Sequence, residues 1–197
     1  MGHNTKVKSY TTEELLNKVQ SLDDFMKFPD NFWILGVRSN EDTPNIFDDK
    51  FYIFKNKTFI SVMTGTTNPG VYGLTNWHKW SNKGAAVIIA NKWYYKVWKR
   101  GLHKNIIPAL KQYGIFFVKR DNNNNTKSGD AGKISWENYK GLNFHPNTYD
   151  ITRKFKTWLI GKWSTGCQVV NDIPKYKEFM NITKPQKYFT YCLIDEF

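Results

Sequence analysis

Phe51-Tyr52-Ile53-Phe54-Lys55-Asn56-Lys57-Thr58-Phe59-Ile60-Ser61-Val62-Met63 has the pattern of a β-hairpin: two apolar runs, 51–54 and 58–63, flank a three-residue polar turn. Moving outward, 32–37 is a short apolar run ahead of it. The Gly-, Thr-, Asn- and Pro-rich stretch 64–73 behind it reads as loop. Further strands are expected at 85–89 and 93–98, on either side of Asn91-Lys92, and at 115–118, 141–145, 167–170 and 188–194. Short helices are expected at 106–112, with Pro108 near the first turn, and at 174–180. Many short strands separated by Gly/Asn/Pro loops predict a mainly β fold, sandwich- or barrel-like, with a few short helices.

The N-terminal segment differs. Thr11 and Glu14 have the spacing of a capping box, and Leu15, Val19, Leu22 and Met26 recur on one helical face. An amphipathic helix is expected over 11–27, ended by Pro29-Asp30 and packed on the body of the protein. The division that follows is an N-terminal helix or arm at 1–30 and a catalytic-type domain at 31–197. Asp121-Asn122-Asn123-Asn124-Asn125 begins like a calcium loop. Thr126 stands where such a loop needs Gly, and Gly132 where it needs a bidentate Glu, so the stretch reads as a solvated loop.

The chain has 197 residues, enough for one domain with a real core. Aromatics reach 17%, which argues against disorder. The net charge of +12 favours polyanionic partners: nucleic acid, an anionic membrane surface or an anionic wall polymer. Two cysteines make no disulfide framework, and both are expected as free thiols. A polar N-terminus without an apolar h-region predicts synthesis in the cytoplasm without a signal peptide. No run approaches the ~18 apolar residues of a membrane span.

The chemistry concentrates in two stretches, Gly141-Leu142-Asn143-Phe144-His145 and Gly161-Lys162-Trp163-Ser164-Thr165-Gly166-Cys167-Gln168-Val169. A thiol becomes a useful nucleophile when its pKa falls or a base takes its proton. Cys167, in a turn of small residues opening a strand, is the candidate nucleophile. His145, about twenty residues earlier at the end of an apolar run, is the candidate base. An activated Cys167 would be alkylated well below about pH 8.5, the free-thiol range. Cys192, in Phe189-Thr190-Tyr191-Cys192-Leu193, reads as a core thiol, and His78, between two tryptophans, as packing.

These stretches resemble the catalytic motif of the L,D-transpeptidase (YkuD-like) domains: a histidine, a spacer, then Ser-x-Gly-Cys entering a strand. They are closer still to a divergent branch found in phages and prophages, with Gly-x-Asn-x-His followed by Gly-Lys-Trp-Ser-x-Gly-Cys-Gln-Val. Gly36-Val37-Arg38, Phe47-Asp48-Asp49, Gly65-Thr66-Thr67-Asn68-Pro69-Gly70, Gly101-Leu102-His103 and Arg120-Asp121-Asn122 extend the similarity over roughly residues 33–193. The resemblance implies a β-sandwich-like domain acting on peptidoglycan stem peptides through an acyl-enzyme on Cys167, with His145 as base. Ser164 and Gly166 would shape the turn, and the backbone N–H groups near Gly166 and Cys167 would hold the oxyanion. Gln168, Trp163, Asn143, His103 and Arg38 are the candidate substrate contacts. The chain differs from the main family pattern at Pro146, where Gly is usual, at Val169, where Arg is usual, and in a longer spacer.

Other chemistries find less support. The histidines and cysteines have no zinc spacing, and there is no GxGxxG or Walker loop, so neither metal nor cofactor is expected. Asp48 and Asp49 read as a polar turn. Trp93-Tyr94-Tyr95-Lys96-Val97-Trp98-Lys99-Arg100 reads as a strand with an aromatic core face and a basic outer face, rather than a nucleic-acid platform. The expected function is a cysteine-dependent stem-peptide hydrolase of phage type, an endopeptidase or L,D-carboxypeptidase, released by lysis or carried in a virion. The alternatives are a cross-linking L,D-transpeptidase and a non-catalytic basic binding or virion structural module.

Overall fold

The computed structural model describes residues 7–41, 43–138 and 141–197, so 1–6 of the expected N-terminal arm lie outside the described residues. The fold is mainly β, as expected. The hairpin forms β2 (Asp49–Lys55) and β3 (Thr58–Thr66), with Asn56 at φ 51° in the turn. β1 (Phe32–Arg38) pairs antiparallel with β2 and parallel with the C-terminal β11 (Tyr188–Asp195). β11 continues into β5 (Lys92–His103), which folds back on β6 (Ile107–Gln112). Two three-residue strands, β9 (Phe144–Pro146) and β10 (Gln168–Val170), join β6 to β3 and close an eight-stranded barrel.

A second sheet of three strands stands beside the barrel: β4 (Ala85–Ile88), β7 (Ile115–Asp121) and β8 (Ile134–Asn138). Its inner residues Ala86, Ile88, Phe116 and Val118 share one core with Phe51, Trp98, Phe144 and Tyr191 of the barrel. The strands on either side of Asn91-Lys92 therefore diverge into different sheets. β8 was not anticipated, because Ile134 and Trp136 are exposed and flank a polar run rather than an apolar one.

Three expectations are corrected by packing. The segment at 106–112 is a strand, not a helix. Tertiary pairing overrides the Pro108 signal: the long β5 offers a complete partner edge, and Leu102 pairs with Pro108 itself. The loop expected at 64–73 is shorter, since β3 runs through Thr66 and a one-turn helix, α2 (Val71–Thr75), follows. The N-terminal helix α1 (Thr12–Gln20) ends at Ser21, whose Oγ donates to Lys18 O at 2.8 Å. Its capping box is present in both directions, Leu15 and Val19 are buried, and Met26 lies exposed beyond it. The helix packs on the barrel, where Trp93 Nε1 donates to Val19 O at 2.8 Å. The helix expected at 174–180 is α3 (Ile173–Ile182), with Asp172 as its N-cap and Pro174 in the first turn.

The segment 93–98 is a strand, as expected, but its aromatics are buried on both faces: Tyr94 and Trp98 lie in the barrel core, and Trp93 lies in the cluster under α1. Asp49 accepts from Ser39 N and Thr67 N, and Asp48 from Thr43 N, so both carboxylates tie down turns.

Candidate active site

The site lies where β9 and β10 meet the end of the β5–β6 hairpin. β9 and β10 run parallel, with Val169 opposite His145 and Gln168 opposite Phe144. Residues facing each other in such a ladder share a face of the sheet, and so do residues two apart. Cys167 immediately precedes β10, and Gln168 N donates to Asn143 O at 2.8 Å. Cys167 packs with Val169 and Trp163 against Phe47 and Ile160, and the Trp163 ring centroid is 6.5 Å from that of His145. The ladder thus brings Cys167 and His145 to one face, as diagonal neighbours.

The turn ahead of Cys167 is built by its small residues. Ser164 Oγ donates to Cys167 O at 2.8 Å and accepts from Gly166 N at 3.2 Å. Gly166 has φ 142°, and a Cβ there would come within 2.7 Å of Ala86 Cβ and 2.8 Å of Ala86 O, so only glycine fits against β4. Ala86 N donates to Thr165 O and Gly70 N to Ser164 O, clamping the turn from two sides. The Gly166 N–H is committed to Ser164. Of the two expected oxyanion donors, Cys167 N–H is the one that this bond leaves over.

Cys167 is half-buried and opens on a cavity of about 1180 Å³. Its Sγ donates to Gly141 O at 3.3 Å. Burial pushes the thiol up to about 11, against a hydrogen bond from Asn143 N–H and the Lys104 cation, which both pull it down. His145 is fully buried. Its Nδ1 contacts Pro146 O at 2.9 Å; a carbonyl can only accept, so Nδ1 carries the proton and Nε2 presents a lone pair. That Nε2 is buried with no hydrogen-bond partner among the described residues. Burial, then the neighbouring His103, push the His145 imidazole down to about 3. No hydrogen bond joins Sγ to Nε2. With the thiol pushed up and the imidazole pushed down both groups rest neutral, which does not match the alkylation well below about pH 8.5 expected of an activated Cys167.

His103 lines the cavity and stacks on His145, ring centroids 3.9 Å apart at 22°. Asn143 Oδ1 accepts from Gln112 N at 3.0 Å, which turns its Nδ2 toward His103 Nδ1 at 3.2 Å. Asn143 is therefore a bracket for the imidazole and is not among the residues that line the cavity. Trp163 lines the cavity. Gln168 does not: it is buried, donates to Thr67 O and accepts from Tyr191 OH at 2.7 Å. Arg38 is bound to Thr67 and to Ile88 O, away from the cavity lining. Cys192 is buried in the core, and His78 is exposed with its ring against Trp77.

Sequence reasoning missed the cations of the cavity. Lys104, Arg120, Arg153 and Lys162 line it, and among the described residues no Asp or Glu does. Arg120 is paired with Glu137 at 2.9 Å. Arg153 is held by Asn147 through its backbone and side-chain oxygens and lies over the Phe155 ring. Lys162 sits over Tyr72 at 4.8 Å. Lys162 and Arg120 fall in stretches that carry the resemblance but were given no role there, because only the fold brings them together with Lys104 and Arg153 from segments far apart in the chain. Among the described residues no cluster of His, Cys, Asp and Glu suits a metal ion, and no helix is long and apolar enough to cross a membrane.

Compared with protein-family models, curated proteins and solved structures, the chain matches none.

Proposed function

We propose that the protein is a cysteine-dependent hydrolase of peptidoglycan stem peptides, an endopeptidase or L,D-carboxypeptidase working through an acyl-enzyme. The observation that carries this reading is the diagonal pairing of Cys167 and His145 on one face of the β9–β10 ladder, with the sulfur open to a cavity and the imidazole Nε2 unpartnered. The similarity of the two motifs to the phage-type L,D-transpeptidase branch supports the substrate.

In this reading the substrate carbonyl enters beside Cys167. Sγ attacks the carbonyl carbon as its proton passes to His145 Nε2, so proton transfer accompanies attack instead of preceding it. The Pro146 carbonyl, accepting from Nδ1, stabilises the imidazolium that forms. The tetrahedral intermediate collapses, the C–N bond breaks, and His145 returns the proton to the leaving amine. Water from the cavity then attacks the thioester carbonyl, the C–S bond breaks, and the water's proton passes to the departing sulfur. The cavity electrostatics favour water over an amine acceptor: Lys104, Arg153 and Lys162 line it, no carboxylate does among the described residues, and these cations repel the ammonium group that transpeptidation must bring in. The +12 charge suits approach to an anionic wall, reached through lysis or from a virion.

The test is mass spectrometry of muropeptides from purified peptidoglycan treated with wild type and with Cys167→Ala. Shortened or separated stems with the wild type alone support the reading; identical profiles overturn it. A second reading, a basic module that binds wall polymer without turnover, is favoured by the high resting pKa of Cys167. Wall retention equal in both proteins, with no change in muropeptides, would select it.

A further inference from the structure

The proposed mechanism uses Cys167 and His145 but leaves unexplained why a second imidazole lies flat on the first. The two rings are 3.9 Å apart, and they differ in access: His103 lines the cavity, whereas His145 is fully buried and does not. They also differ in tautomer. His145 donates through Nδ1 to Pro146 O. His103 accepts at Nδ1 from the Asn143 amide, so its own proton sits on Nε2. The bracket is itself anchored, since Asn143 Oδ1 is fixed by Gln112 N, and Gln112 Oε1 accepts from Leu142 N at 2.9 Å.

We propose that His103 is a positioning residue for His145: a screening imidazole that separates the buried ring from cavity water and keeps its Nε2 lone pair unhydrated. The inference rests on the reading of His145 as the base for Cys167. An unhydrated lone pair next to a thiol has only the thiol proton to take, whereas a water-bonded one must first shed its water. A cationic neighbour would defeat the arrangement, and the surroundings keep His103 neutral. Burial, then Lys104 and Lys111, push it down to about 4. The charged groups facing the pair are Lys104 beyond β5 and Lys111 on β6; Trp163 adds an uncharged ring.

The experiment is an NMR titration of ring-labelled histidine in the full chain, without substrate, for wild type, His103→Ala and His103→Phe. In the wild type His145 should hold its Nδ1–H tautomer and titrate far below the ordinary histidine range. His103→Ala opens the ring to water, so the His145 midpoint should rise by about one pH unit or more beyond the rise that loss of the His103 charge gives in either variant. His103→Phe restores a flat screen and should keep the midpoint well below that of His103→Ala. A structural role alone would not separate the two. If the midpoint is unchanged in His103→Ala, or rises equally in both variants, the screening role is wrong. Should His103→Ala fail to fold, a His145 midpoint in His103→Phe that reaches the ordinary histidine range overturns the proposal by itself. The muropeptide result is independent, so failure of the hydrolase reading and failure of the screen are separately visible.

Discussion

Val169 faces His145 across the parallel β9–β10 ladder, and Cys167, the next residue but one and just ahead of the strand, packs in the same cluster as Val169. A register slip of one residue would turn one of the two side chains to the opposite face. The ladder is short, three residues on each strand, so its register depends on neighbours: β3 on one side and the single Leu110–Phe144 pair on the other.

The protonation state of this pair sets the first prediction. With the thiol held up to about 11, alkylation of Cys167 by iodoacetamide should be slow at pH 7 and climb steadily toward pH 10. Lys104→Gln removes a cation that favours the thiolate and should slow alkylation further, by roughly threefold. Fast labelling near pH 7 would mean that the resting pair is already ionised.

Acid should destabilise the fold through the same histidines. The unfolded chain binds protons near the ordinary pKa of about 6.5, whereas folded His103 and His145 refuse them until about 4 and about 3. Their contribution is complete above about pH 6.5 and is lost as pH falls toward 3. Asp49 works the other way, because burial raises its pKa and acid relieves it. Urea midpoints at pH 7, 5.5 and 4.5 should therefore fall with pH in the wild type, with a shallower slope in His145→Gln.

Gly166→Ala should be among the most damaging single-methyl changes in the chain. The new Cβ meets both Ala86 Cβ and Ala86 O below 3 Å, at a backbone angle that L-residues rarely adopt. A loss of about 3 kcal/mol in urea unfolding is expected. Activity should fall with it, since the clash is with the strand that holds the turn.

Gln168→Leu separates structure from substrate binding. It leaves the buried Tyr191 hydroxyl without its acceptor, for a loss of about 2 kcal/mol. If Gln168 touches no substrate, KM for a stem peptide should stay within about twofold of wild type under conditions where the variant is folded. A large KM change with intact stability would return Gln168 to the cavity.

Lys162→Gln combined with Lys104→Gln should lower kcat/KM for a carboxylate-bearing peptide by roughly tenfold at low salt, and the gap should narrow as salt rises. Equal rates at all ionic strengths would show that the cavity cations do not steer substrate.

The alternation in 51–63, the Thr11/Glu14 capping box and the apolar runs of β1, β7 and β11 were legible because each follows from local periodicity or from a side chain bonding its own backbone. The Ser164–Cys167 turn was legible for the same reason: Ser164 bonds within its own four residues. The strand at 107–112 was not, because its conformation is set by the β5 edge it joins and not by Pro108. Arg38 and Gln168 were misplaced as contacts because polarity alone does not tell a buried bracket from a cavity wall.

Sequence by itself thus determined the β class, the terminal helix cap and which thiol stands in a turn that a substrate could approach, all matters of neighbours along the chain. Tertiary structure alone decided that a buried imidazole lies diagonal to that thiol, that a second imidazole covers it, and that distant loops ring the cavity with cations. Desolvation and ring stacking arise only when segments remote in sequence exclude water together, so no local pattern encodes them.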